Sequence, residues 1–167
     1  MRNMTEQNVR AAFAGESQAH MKYLVFASQA EEEGKPNVAR LFRAISYAEQ
    51  VHATAHFKVL GDLGDSSSNL QQAINGENFE VDEMYPAYDA VAQLQGEKGA
   101  LRTIGYALEA EKIHASMYQK AKQAVDAGRD ISLGKVQICD VCGYTVEGDA
   151  PDTCPVCGAA RKKFHSF

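Results

Sequence analysis

From Thr5 to Val125 the apolar residues recur at intervals of three and four, which places them on single faces of helices rather than on the alternating faces of strands. Val9, Phe13, Glu16, His20, Tyr23 and Ala27 define a first helix over about Thr5–Glu33. Gly34-Lys35-Pro36-Asn37 is a turn with proline where a new helix can start. The second helix runs to about Gly61 and aligns Leu41, Ile45, Glu49, His52, His56 and Leu60. Asp62 to about Asn75, with Gly64, Asp65 and Ser66-Ser67-Ser68, reads as a long crossover. A third helix aligns Glu77, Glu80, Met84, Ala87, Val91 and Leu94, and Pro86 should tilt or kink it. A fourth, from near Glu97, aligns Leu101, Ile104, Leu108, Glu111, His114 and Tyr118. Two helical hairpins joined by one long connection predict a mainly α, ferritin-like four-helix bundle over residues 1–128.

The pattern also repeats. Ala48-Glu49-Gln50-Val51-His52-Ala53 returns 62 residues later as Ala110-Glu111-Lys112-Ile113-His114-Ala115, and Gly15-Glu16 returns 61 residues later as Gly76-Glu77. Two helix pairs related by a pseudo-twofold axis should therefore present two equivalent ligand sets.

Residues three apart on a helix lie on one face, so Glu49/His52 and Glu111/His114 each aim a carboxylate and an imidazole at one point. A pair of Glu-x-x-His motifs plus one glutamate from each of the other two helices is the di-iron or di-manganese design of carboxylate bundles. Glu16 and Glu77 are those single glutamates, and Glu80 is an additional one. Ionised carboxylates among Phe13, Ile45, Leu60, Met84, Val91, Leu101, Ile104 and Leu108, without matching Lys or Arg, call for a metal. Four carboxylates and two neutral histidines balance two ferrous ions, and a bridging oxo group would offset their oxidation to ferric. Glu80 is then a spare hard ligand that a ferric ion favours over imidazole, which predicts that Glu80 and His52 exchange with redox state. His20 and His56, lacking a Glu three residues earlier, read as core or supporting histidines. Tyr23 reads either as a hydrogen-bond donor to a ligating carboxylate or as a packed core residue.

The helical pattern stops near Gly128, and Arg129–Gly134 is a linker. Residues 135–167 are rich in Gly, Pro and Cys, with a short strand expected at Val136-Gln137-Ile138. This piece is too small for a hydrophobic core to hold it, so a metal must fold it. Cys139-x-x-Cys142-Gly143 and Cys154-x-x-Cys157-Gly158, with eleven residues between Cys142 and Cys154, form two knuckles whose backbone N–H groups can point at the sulfurs. Four thiolates suit a single iron or a structural zinc.

Charge and composition narrow the field further. The net charge of −5, with Lys and Arg scattered, offers no stripe for nucleic acid or anionic lipid. The N-terminus lacks an apolar signal core and no run approaches the ~20 apolar residues of a membrane span, so a soluble, cytoplasmic protein is expected. Paired Cys-x-x-Cys motifs in a reducing compartment read as metal ligands rather than disulfides.

With both halves in view the chain resembles the rubrerythrin family over essentially its whole length. The matching stretches are Ala14-Gly15-Glu16-Ser17-Gln18-Ala19, Ala48–Ala53, Glu77-Asn78-Phe79-Glu80 ahead of Met84-Tyr85-Pro86, Ala110–His114 and the two cysteine knuckles. The resemblance implies a non-haem di-iron site at Glu16, Glu49, His52, Glu77, Glu80, Glu111 and His114, with Glu49 and Glu111 bridging. It also implies a rubredoxin-like iron site at Cys139, Cys142, Cys154 and Cys157. The implied activity is reduction of hydrogen peroxide to water in an anaerobe or microaerophile, as protection against oxidative stress. Electrons would enter through the four-cysteine iron from an external rubredoxin or NAD(P)H-dependent reductase, since no Rossmann or flavin motif is present. A cysteine domain tethered at the end of the fourth helix is expected to lie far from a mid-height di-iron site of its own chain. The implied assembly is therefore a head-to-tail homodimer, with helix pairs exchanged or not, or a higher homo-oligomer. An iron store would use the same bundle but needs no electron-delivery tail, and a regulatory module would carry zinc in the tail.

Overall fold

The computed structural model describes all 167 residues, and by contacts the chain divides into Met1–Gly64 and Asp65–Phe167. No helix is long and apolar enough to cross a membrane.

The first unit is a hairpin of α1 (Asn3–Glu32) and α2 (Pro36–Leu60). Gly34 sits in the left-handed region (φ 70°), and the Lys35 N–H returns to the Ala30 carbonyl at 2.8 Å, which closes α1 and releases the chain into Pro36. The helices meet through small side chains: Ala27, Ala30, Ala39, Ser46 and Ala53 are the buried residues, with Phe42 packed against the first three. Tyr23, Phe26 and Phe42 form an aromatic cluster, so Tyr23 takes the packed-core role. At the open end Arg10 donates to both Asp62 and Glu6. Leu41 (60% exposed) and Ile45 (42%), expected on an inner face, are not covered.

The second unit begins with α3 (Ser66–Phe79). The crossover expected over residues 62–75 is absent: only Gly61–Asp65 separates α2 from α3. Asp65 caps α3 by accepting the Ser68 N–H at 2.8 Å, so Ser66-Ser67-Ser68 is a first helical turn rather than a loop. α3 passes through a π-helical turn, Glu80–Met84, into α4 (Tyr85–Gln95). The wide turn stands just before Pro86, which lacks an N–H to donate. α5 (Lys98–Asp126) packs on both α3 and α4, burying Ile74, Ala92, Ala110 and Ala115.

After Gly128 the chain reaches a small antiparallel sheet of β1 (Val136–Cys139), β2 (Thr145–Glu147) and β3 (Phe164–Ser166), with β1 in the middle. Ile138 pairs with Thr145 and His165, and Cys139 with Phe164. Its core is Cys139, Cys142 and Cys154, packed by Tyr144, Val156, Phe164 and, from α5, Tyr106.

Candidate metal centres

The predicted ligands gather into three groups, each with its donor atoms within 4.8 Å of one another: Glu16/Glu49/His52, Glu77/Glu111/His114 and the four cysteines. The two helical triads are the two copies of the internal repeat. In both, the Glu-x-x-His spacing brings imidazole Nδ1 to the carboxylate: His52 to Glu49 at 3.0 Å and His114 to Glu111 at 2.6 Å. The two histidines differ in setting, with the His52 side chain 55% exposed and that of His114 29%.

The second triad is electrostatically crowded. Burial, then the hydrogen bond to and charge of Glu111, then the charge of Glu80, push the Glu77 carboxyl up to about 7. Glu80, on the π-helical turn, is raised by burial and by Glu111, with His114 opposing. Tyr85, at the start of α4, is raised by burial and then by Glu80, Glu111 and Glu77, so its phenol stays protonated beside the cluster. Carboxylates held against one another without Lys or Arg among them fit a multivalent cation.

The cysteine site fits a tetrahedral metal by geometry. Cys139 Sγ and Cys157 Sγ lie 3.6 Å apart, and Cys142 Sγ and Cys154 Sγ 3.5 Å apart. Metal–thiolate bonds of ~2.3 Å give tetrahedron edges of about 3.8 Å, close to both. Backbone N–H groups point at the sulfurs as the knuckle spacing predicts: Tyr144 to Cys142, Val156 and Cys157 to Cys154, and Ala159 to Cys157. Burial pushes the Cys142 thiol up. At Cys154 burial acts in the same sense, but the two backbone N–H groups and the neighbouring thiols outweigh it and bring it down to about 7.

The small domain is not remote from the helical ligands of its own chain, contrary to expectation. It folds back onto α5: β2 touches the helix, a Cβ on Gly143 would stand 3.7 Å from that of Ala110, and Tyr106 packs against the cysteines. Thr145, 4% exposed, brings Oγ1 to 2.9 Å from His114 Nε2. Neither Thr145 nor Tyr85 stood out in the sequence as a site residue, because each belongs to its site only through tertiary packing. In the first unit His20 is a structural histidine: its Nδ1 lies 2.9 Å from the Ser46 carbonyl, and the Ser46 hydroxyl donates to the His20 carbonyl at 2.9 Å.

Helices bearing paired Glu-x-x-His ligand sets, followed by a four-thiolate site, define a non-haem iron oxidoreductase with a di-iron centre and a rubredoxin-like centre. Residues 7–122 match the rubrerythrin family model, and residues 137–165 match that of the rubrerythrin rubredoxin-like domain. The chain belongs to the rubrerythrin family, and its fold class is a mainly α ferritin-like bundle followed by a small rubredoxin-like domain. It is 47% identical to rubrerythrin-2 of Clostridium acetobutylicum, over 98% of this chain and 97% of that one. It is 33% identical to nigerythrin of Nitratidesulfovibrio vulgaris, over 98% of this chain and 86% of the relative. A solved structure of fully reduced, all-ferrous nigerythrin superposes with a TM-score of 0.57 at 32% identity, covering 98% of this chain and 86% of that one.

Proposed function

We propose that this chain is a peroxidase: hydrogen peroxide takes up two electrons and two protons and leaves as two water molecules. Glu16, Glu49, His52, Glu77, Glu80, Glu111 and His114 would together hold two irons, with Glu49 and Glu111 shared between them. A filled centre of two ferrous ions would supply the two electrons, one from each. Tyr85 holds its proton at Oη beside the carboxylates. The more exposed His52, rather than His114, would be the imidazole that exchanges with Glu80 when the centre changes redox state. Cys139, Cys142, Cys154 and Cys157 would hold the iron through which electrons return, drawn from an external rubredoxin or NAD(P)H-dependent reductase in the reducing cytoplasm. Residues 1–128 act as the di-iron domain, 129–134 as linker and 135–167 as the electron-delivery domain.

The observation that carries this reading is the seating of the four-cysteine domain against the helix bearing Glu111 and His114. A store for iron gains nothing from a thiolate site packed beside its carboxylates, whereas a two-electron reductase that must be refilled one electron at a time does.

The reading extends to the assembly, a homodimer with exchanged helix pairs. A ferritin-like bundle needs a connection that runs its full length between the two hairpins. The 25 residues of α2 span about 37 Å, whereas the five residues Gly61–Asp65 reach roughly 17 Å when extended. A second copy supplies the other hairpin, and the exposed Leu41 and Ile45 are the face it covers.

The test is stopped-flow mixing of the fully reduced, iron-loaded protein with hydrogen peroxide and, separately, with dioxygen, while both centres are followed by their absorbance. Fast oxidation by peroxide and slow oxidation by dioxygen support a peroxidase, and the opposite preference makes the chain an oxidase. One zinc per chain and no visible charge-transfer bands would remove the relay.

A further inference from the structure

His114 is held at both ring nitrogens. Nδ1 faces Glu111, and Nε2 lies 2.9 Å from Thr145 Oγ1. The Thr145 hydroxyl spends its own proton on the Gly143 carbonyl at 3.0 Å, so at Nε2 it acts as acceptor and the ring carries the proton there. The peptide bond after Gly143 continues the line, because the N–H of Tyr144 points at Cys142 Sγ. Each link lies in the second unit of one chain, and Thr145 is buried, so water does not compete for these bonds.

We propose that Thr145 is a positioning residue. It fixes the His114 tautomer, leaves Nδ1 for the metal, and closes an unbroken line of hydrogen bonds inside one chain from the His114 ring to Cys142. A metal-bound histidine whose other nitrogen is fixed by a partner is both better oriented and more basic, and losing such a partner typically costs 10–100-fold in metal affinity or activity. The inference rests on His114 being a metal ligand and on the four-cysteine iron feeding the di-iron centre. It concerns which residue joins the two sites, and by which route.

The test compares Thr145→Val, which keeps the shape and deletes the hydroxyl, with Thr145→Ser, which keeps the hydroxyl. Cobalt(II) titration of the carboxylate–histidine site, followed by its d–d absorbance, should show affinity reduced roughly tenfold or more in the valine variant and largely restored in the serine variant. The cobalt spectrum of the four-thiolate site checks that the small domain stays folded in both. Long-range nitrogen–proton NMR of the zinc-loaded protein should show a slowly exchanging His114 Nε2–H in the parent and the serine variant only. In the iron-loaded protein, electron passage from the four-cysteine iron should slow roughly tenfold in the valine variant and recover in the serine variant.

Equal cobalt affinities in all three proteins, or equal losses in both variants, overturn the role of Thr145. If peroxide fails to oxidise the reduced parent, the peroxidase reading falls while the cobalt and NMR results stand. If cobalt finds no histidine–carboxylate site at all, the ligand assignment falls, and absence of the Nε2–H signal in the parent then removes Thr145 as well.

Discussion

Replacing Glu77 with glutamine separates what the carboxylate cluster costs from what it does. In the metal-free protein the Glu77 carboxyl is pushed from 4.5 up to about 7, by burial first and by Glu111 and Glu80 after it. At about pH 8 it is ionised against that resistance. A rise of this size is worth about 3 kcal/mol if nothing screens it. Glu77 is half-buried, and water screening brings the figure down to about 1 kcal/mol. Glutamine keeps the length of the side chain and can donate an amide N–H to Glu111, but it carries no charge. The metal-free variant should therefore melt about 2–4 °C above the metal-free parent, the shift that ~1 kcal/mol produces in a chain of this size. With zinc or iron bound the order should reverse, because the variant has lost a ligand. The sign with pH follows from the same cause: a carboxyl raised on folding makes the parent lose stability as pH climbs from about 4.5 to about 7, and then level off. The variant lacks that slope. Thermal unfolding followed by circular dichroism, with chelator and with saturating metal, reads all of this. A metal-free Glu77→Gln protein less stable than its parent at about pH 8 would falsify the view that the carboxylates repel one another until a cation arrives.

Three further outcomes follow from the same geometry. Cys157→Ser should leave the first oxidation of the reduced di-iron centre by peroxide intact and abolish steady-state turnover with an external reductase; unchanged turnover would mean that electrons enter elsewhere. Ser46→Ala should cost about 1–2 kcal/mol in urea unfolding, because Ser46 is 1% exposed and its hydroxyl satisfies the His20 carbonyl, and a neutral result would show that the hairpin re-pairs that group. Gly143→Ala, at φ 78°, should destabilise the small domain by about 1–2 kcal/mol and speed loss of its metal to a chelator, with unaltered release showing that the knuckle relaxes.

The ligands were legible because their chemistry is local. Glu-x-x-His needs only helical periodicity, and Cys-x-x-Cys-Gly needs only a turn, so Glu49/His52, Glu111/His114 and the two knuckles could be read from spacing alone. The internal repeat added Glu16 and Glu77, and the structure gathers each into the triad of its own unit. Where the reading failed, a competing local signal won. Ser66-Ser67-Ser68 resembles a loop in composition, yet Asp65 caps it into a helix and removes the crossover. Glu77, Glu80, Met84, Ala87, Val91 and Leu94 look like one stripe, yet the π-helical turn at Glu80–Met84 interrupts the period and leaves Val91 and Leu94 exposed. The contact between Thr145 and His114 had no signature at all, since it spans 31 residues and depends on how the small domain folds back.

That fold-back sets an order of maturation. Residues 135–167 have little core beyond their cysteines, so they are structured only once a metal fills the thiolates. Thr145 reaches the His114 ring from β2 of that domain. A newly made chain with an empty tail thus has an unanchored His114, and its carboxylate–histidine site takes its final form only after the four-thiolate site is filled. On the peroxidase reading, this order keeps the chain from assembling a di-iron centre that could be oxidised but never refilled.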